Sequence, residues 1–250
     1  MPRGKVYLVG AGPGDPELLT LKAVRVLGLA DVALVDDLVN PAVLEHLRAG
    51  ARVVHVGKRG GCKSTPQAFI EKLLVAEAKR GLTVVRLKGG DPFMFGRGGE
   101  ECAALAAAGV DCEVINGITS GIAAPAALGI PVTHREAGRG VAFITGHARN
   151  GENVDWAALA KSGVTLVIYM GVAQCEHIVD ALIAGGMRAD MPAAVIQNAT
   201  LPNQRSVTTI LSALAAGVRT RIIGSPAILV IGEVAGLAQE EQLPLFAANG

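Results

Sequence analysis

The stretch Leu87-Lys88-Gly89-Gly90-Asp91-Pro92-Phe93-Met94-Phe95-Gly96-Arg97-Gly98-Gly99-Glu100-Glu101 decides how the rest of the chain is read. An apolar run, Val84 to Leu87, enters it as a strand and passes into two glycines, an Asp-Pro turn and an arginine set among three more glycines. Repeated glycine costs backbone entropy and belongs where the chain takes positive φ or approaches another group closely. Asp91-Pro92 fixes a turn and presents a carboxylate at a strand end. Arg97 brings a planar fork that binds a carboxylate or phosphate through two parallel hydrogen bonds. A flexible connector needs neither the aspartate nor the arginine. A strand that runs into a ligand loop and then a helix is the unit of an α/β fold.

The amino terminus repeats the theme. Val6-Tyr7-Leu8-Val9 is a short apolar strand, followed by Gly10-Ala11-Gly12-Pro13-Gly14-Asp15-Pro16 and a helical pattern from Leu18. A strand, a glycine turn and a helix point to a nucleotide-type ligand. The dinucleotide fingerprint is incomplete, however. Its third glycine would be residue 15, which is Asp15, a poor neighbour for pyrophosphate, and Pro13 stiffens the turn.

The 250 residues suffice for one large or two modest α/β domains. Half are hydrophobic but only 3% aromatic, so the core is expected to consist of Ala, Val, Leu and Ile. A net charge of +1 argues against a general nucleic-acid binder, and any anionic partner must meet a local cluster of cations. Cys62, Cys102, Cys112 and Cys175 show no C-x-x-C spacing, so neither a metal site nor a disulfide framework is expected, and reduced cytoplasmic thiols are. Arg3 and Lys5 are followed by only four apolar residues, so no signal peptide is expected. The uncharged run Val114 to Thr133 is long enough to span a bilayer, but its glycines, prolines, Asn116, Thr119 and Ser120 exclude a membrane helix.

Val- and Ile-rich runs alternate with Ala/Leu-rich helical patterns, the signature of a parallel α/β architecture. Strands are expected at 6–9, 32–35, 52–56, 84–87, 113–115, 141–145, 165–169, 194–197 and 228–231. One helix is well marked, with Thr65 as N-cap, Pro66 in the first turn, Phe69, Ile70, Leu73 and Leu74 on one face and Gly81 as stop. Gly117 to Gly121, with Pro125 and Pro131, reads as the crossing between two halves. The expected organisation is an N-terminal α/β domain at 1–117, a C-terminal α/β domain at 118–238 and a loose tail at 239–250.

Seven segments carry a family resemblance: Gly10-Ala11-Gly12-Pro13-Gly14-Asp15, Val56-Gly57-Lys58-Arg59, Arg86 to Pro92, Phe95 to Glu101, Thr133-His134-Arg135, Thr145-Gly146-His147 and Tyr169-Met170-Gly171. In this order, over about residues 4 to 236, the chain resembles the tetrapyrrole methylases. The resemblance implies two α/β domains facing a cleft, of the class III methyltransferase type, and a homodimer. It implies transfer of two methyl groups from S-adenosylmethionine to C2 and C7 of a carboxylate-fringed tetrapyrrole, with S-adenosylhomocysteine leaving. No metal, nucleic acid or membrane partner is implied.

The same resemblance assigns residues. Asp36, at the end of the strand 32–35, corresponds to the proton acceptor and Lys58 to the donor, although Asp36-Asp37 as a helix cap and Lys58 as a substrate-carboxylate contact remain open. Arg97 is the first choice for orienting the macrocycle. The cofactor set is Pro13, Gly89, Gly90, Asp91, Met94, Thr119, Ser120, Met170 and Ala199. Asp91 would accept from the cofactor's ammonium, the two glycines would admit its bulk, and the methionines would offer soft apolar surface. Ala199 departs from the family, which often has glycine there. Its methyl is harmless only at negative φ. Arg59, Glu100, His134, Arg135 and His147, with Arg149 nearby, are the candidates for substrate contacts. Rival readings are a corrin-pathway methylase acting at other ring positions, a nicotinamide dehydrogenase and a non-catalytic tetrapyrrole-binding module.

Overall fold

Five parallel strands form the sheet of the first unit: β1 (Lys5–Gly10), β2 (Val32–Val35), β3 (Arg52–His55), β4 (Thr83–Lys88) and β5 (Asp111–Ile115), in the order β3-β2-β4-β1-β5. The computed structural model describes residues 4–57, 65–147 and 154–238, and the chain divides into two units, Met1–Thr119 and Ser120–Gly250. Lys58, Arg59, Cys62, Arg149 and the expected tail lie outside the described residues.

Side chains alternate across a strand, and the inner strands β1, β2 and β4 are largely buried on both faces, so they read as apolar runs, whereas the edge strands β3 and β5 are exposed or only partly buried. Val9, Ala33, Val35, Val85 and Leu87 pack on α1 (Leu21–Leu27) through Ala23, Val26 and Leu27. Val6, Leu8, Val32, Leu34 and Val84 pack on Ile70 and Leu74 of α2 (Gln67–Lys79) and Leu105 of α3 (Gly98–Ala107). Burying each such Val or Leu is worth roughly 1.5–3 kcal/mol. Thr20 starts α1 by accepting from the Ala23 amide at 3.1 Å, which satisfies one of the helix's unpaired donors.

The second unit holds α4 (Ser120–Ala126), β6 (Val141–Thr145), α5 (Trp156–Lys161), β7 (Thr165–Tyr169), α6 (Cys175–Ala184), β8 (Pro192–Gln197), β9 (Arg205–Ile210), α7 (Leu211–Thr220) and β10 (Ala227–Ile231). Its sheet runs β6-β7-β10-β8-β9. Trp156, Ile178, Leu182, Leu211 and Leu214 from α5, α6 and α7 cover Leu166, Ile168, Val195 and Leu229.

Five expectations are corrected. Parallel pairing holds in the first unit, but in the second only β6 and β7 are parallel. The β7–β10, β10–β8 and β8–β9 pairs are antiparallel. Strand β9 was not expected at all, because Arg205, Ser206, Thr208 and Thr209 make it a polar edge with no apolar run. Thr65 is not the cap of α2: Pro66 holds that position and no side chain caps the helix. Phe69 is exposed, and the buried stripe of α2 is Ile70, Leu74, Glu77 and Ala78. Pro125 lies inside α4 and not in a connecting loop.

Candidate functional site

Strands β1 and β4 are neighbours, yet β1 leads to α1 on one face of the sheet and β4 to α3 on the other. Connections that leave adjacent strands for opposite faces open a crevice beyond the carboxyl ends. Here the two glycine loops lock together. Ala11 N donates to Lys88 O at 2.8 Å, Gly12 N to Gly90 O at 3.2 Å and Gly90 N to Gly12 O at 2.7 Å. A third backbone joins them, since a Cβ on Gly117 would lie 2.3 Å from Gly90 O. Gly90 itself sits at φ 67°. A Cβ on Gly89 would meet Leu38 at 2.9 Å, so that glycine also serves a close approach within the chain itself.

Asp91 anchors the same loops. Its Oδ1 accepts from Phe93 N at 2.8 Å, and its Oδ2 from Gly117 N at 3.1 Å and Asn116 Nδ2 at 3.2 Å. A carboxylate offers about four lone-pair positions, so capacity remains for one further donor such as an ammonium. Pro13 and Met94 are half-buried in the two loops, Thr119 is buried at the end of the first unit, and Ser120 opens the second. Asp15, by contrast, serves the local fold, accepting from Glu17 N at 2.8 Å.

Left-handed backbone at non-glycine residues recurs in the candidate loops, at Phe95 (φ 52°), Arg97 (58°), Met170 (55°), Asn198 (50°) and Thr200 (66°), and occurs also at Ile222 (53°) after α7. Such positions cost on the order of 1–3 kcal/mol each and gather where function requires the geometry. Arg97 caps the start of α3 and is not free. Its Nε and Nη2 donate to Glu100 Oε1 at 2.8 Å and Oε2 at 2.5 Å, and this pairing raises its already high pKa. Arg97 and Glu100 thus form one ion-paired unit at the start of α3.

In the second unit, Met170 follows β7 with 52% of its surface exposed, a bare thioether at a strand end. Beside it, the Tyr169 hydroxyl accepts from Gly121 N at 2.8 Å and so fixes the start of α4 next to Ser120. Ala199 is buried and is not among the residues at positive φ, so its methyl is unstrained. His134 and Arg135 are exposed and, with Thr133, Gly138 and Arg139, line an open depression of about 450 Å³. His134 Nδ1 accepts from the amides of Glu136 and Ala137 at 3.2 and 3.3 Å, which leaves Nε2–H as its outward donor. His147 is exposed, its amide donating to Thr145 Oγ1 at 3.2 Å.

Asp36 stands directly after β2 and does not cap a helix. Its Oδ1 accepts from Arg86 Nη2 at 2.7 Å, and its Oδ2 lies 3.5 Å from Lys88 Nζ. Behind them, Arg86 Nε, Lys88 Nζ and Gln67 Nε2 all approach Glu101 Oε1, at 3.1, 3.4 and 3.1 Å. Sequence reading passed over Arg86, Lys88 and Glu101 as individual site residues. The signal was present in β4, where two cations at i and i+2 interrupt an otherwise apolar buried strand.

Residues 5–215 match the family described as Tetrapyrrole (Corrin/Porphyrin) Methylases. The chain is 58% identical over 231 residues to a uroporphyrinogen-III C-methyltransferase of Pseudomonas aeruginosa, covering 92% of this chain and 94% of that protein. Among solved structures, the uroporphyrin-III C-methyltransferase of Thermus thermophilus complexed with S-adenosylhomocysteine matches with a TM-score of 0.81 and 40% identity, covering 98% of this chain and 99% of that one. A cobalt precorrin-4 methyltransferase matches with a TM-score of 0.84 at 29% identity, covering 92% and 95%. The chain belongs to the tetrapyrrole methylase family, and its two α/β units are those of a class III methyltransferase. This membership sets aside the dehydrogenase reading. No helix among the described residues is long and apolar enough to cross a membrane.

Proposed function

We propose that this protein is an S-adenosylmethionine-dependent methyltransferase that methylates uroporphyrinogen III at C2 and C7, giving precorrin-2 by way of precorrin-1. The observation that carries the reading is the 58% identity, nearly end to end, to a protein of that activity by name. The greater identity to the uroporphyrin enzyme than to the precorrin-4 enzyme, 40% against 29%, favours it over another corrin-pathway position.

The residues fit such a cofactor. Asp91 retains acceptor capacity for its ammonium, Met94 and Met170 offer polarisable surface, and Pro13, Gly89, Gly90, Thr119, Ser120 and Ala199 complete the set. When bound, S-adenosylmethionine supplies a methyl group already activated by its positive sulfur. The protein's main task is alignment of the attacking ring carbon. Asp36, partly exposed at the end of β2, receives the proton that the alkylated ring must lose, and Lys58 serves as donor. Arg97 with Glu100, together with Arg59, His134, Arg135 and His147, meets the substrate carboxylates. The protein works in the cytoplasm as a homodimer. The cysteine spacing, which gives no disulfide framework, supports the first point and the family resemblance the second.

Calorimetry tests the cofactor class. S-adenosylhomocysteine should bind and NAD should not. NAD binding with no response to the sulfur ligand would overturn the reading.

A further inference from the structure

Four ionisable side chains of the first unit share one patch beneath the ends of β2 and β4. Glu101 of α3 is 0% exposed, Arg86 1% and Lys88 4%, and Asp36 alone reaches solvent. Glu101 Oε1 collects Arg86, Lys88 and Gln67, while its Oε2 is buried with no hydrogen-bond partner among the described residues. Arg86 carries the chain of contacts on to Asp36 and steadies it with longer bonds from Nη1 to the carbonyls of Leu34 and Leu87. Two cations and two carboxylates leave the patch formally neutral.

Stability is a poor reason to build this. Desolvation of buried ion pairs commonly cancels their attraction, and apolar residues of similar volume pack as well or better. The surroundings are apolar, with Leu8, Leu34, Ile70, Leu74 and Leu105 in the same layer. An orphaned carboxylate oxygen adds a further penalty. A costly arrangement that ends on one partly exposed carboxylate is explained by what that carboxylate does.

We propose that Glu101 is a positioning residue for methyl transfer, acting through Arg86 and Lys88 on Asp36. The inference rests on Asp36 receiving the ring proton. Glu101 fixes the Arg86 fork from behind, so that Asp36 is held in one orientation at the strand end. It also balances one of the two buried positive charges. Without that balance, Arg86 and Lys88 both draw on the Asp36 carboxylate, which is then less able to accept a proton. Gln67 fixes Oε1 from α2, so the position of this carboxylate is set by two helices and a strand.

The test uses the full chain with Glu101→Gln, the double variant Glu101→Gln/Lys88→Met, and Asp36→Asn as control. Glu101→Gln keeps the side-chain shape and removes the charge. It should lower kcat by about 10- to 100-fold, as loss of an orienting partner does. The tetrapyrrole KM and the S-adenosylhomocysteine affinity should stay within about twofold. Removing the Lys88 charge as well restores the balance and should recover several-fold of the lost kcat, which a merely structural role would not allow. Wild-type kcat in Glu101→Gln, or a folded double variant no faster than the single one, would overturn the proposal. If Glu101→Gln does not fold, the double variant must fold and turn over faster than Asp36→Asn, and failure of both to fold would assign Glu101 to stability alone and equally overturn it. Normal turnover by Asp36→Asn would instead remove the role of Asp36 itself, a separate result.

Discussion

Arg86 Nη2 donates to Asp36 Oδ1 at 2.7 Å, from a guanidinium side chain only 2% exposed to a carboxylate 29% exposed. A buried cation thus holds a partly open carboxylate at the end of β2. Asp36→Asn should lower turnover by about 10²- to 10⁴-fold, the usual scale for a lost acid–base group. Affinity for S-adenosylhomocysteine, measured by calorimetry, should not change. Turnover within threefold of the wild type would show that the proton goes elsewhere.

The contact of Gly10, Gly90 and Gly117 leads to a contrast between glycines. Gly117→Ala should destabilise the protein by roughly 1–3 kcal/mol, because its methyl has only backbone to push against. Gly99→Ala, at an exposed helical position with nothing within 4 Å, should stabilise by about 0.5–1 kcal/mol. Gly90→Leu should abolish cofactor binding, since φ 67° forbids the side chain its native backbone. Urea unfolding and calorimetry separate the outcomes, and equal effects of Gly117→Ala and Gly99→Ala would contradict the packing described.

Arg97→Ala should damage methylation far more than cofactor affinity. The variant strands a substrate carboxylate, at a cost of about 1–3 kcal/mol. Arg97→Lys should recover only part of the activity, because it keeps the charge but loses the fork that now grips Glu100. Steady-state kinetics at limiting tetrapyrrole decide the matter: unchanged kcat/KM in Arg97→Ala would refute the assignment.

Glu113 gives a pH dependence unconnected with catalysis. Lys22 and then Lys5, at 2.7 and 2.5 Å, pull its carboxyl from the ordinary value of 4.5 down to about 2. A lowered folded-state pKa stabilises the protein fully above the unfolded value, and that stability is lost as pH falls through the folded one. Glu113→Gln should therefore lower Tm slightly near pH 7, with the difference from wild type shrinking as pH drops from about 4.5 toward 2. Exposure and salt keep the effect small. A Tm difference that grew on acidification would contradict the pairing.

The first unit was largely legible in the sequence because its inner strands β1, β2 and β4, largely buried, write themselves as runs rich in Val and Leu. The second was less so. Strand direction depends on how connections return, which periodicity does not record, and the polar edge strand β9 lacks an apolar run altogether. Within the site, the glycine loops and Asp36 stood out as residue types at strand ends. The pairing of Arg97 with Glu100 was also open to inspection, since i and i+3 meet on a helix. Glu101 was not: its partners lie on β4 and α2, and only the folded chain brings them together. Likewise, the contact of Gly10 with Gly117 joins residues far apart in sequence.

The central claim is double methylation of uroporphyrinogen III by one cofactor pocket. After the first transfer the pocket must be recharged and the macrocycle turned to present its second pyrrole, so a singly methylated species should leave the protein. Anaerobic incubation of the protein with uroporphyrinogen III and S-adenosylmethionine, quenched over time and read by mass spectrometry and absorbance, tests this most directly. The account predicts precorrin-1 rising and then falling as precorrin-2 accumulates, with no third methyl added. No methyl gain on uroporphyrinogen III would contradict the proposed function, and passage from zero to two methyls with no free intermediate would contradict release between the transfers.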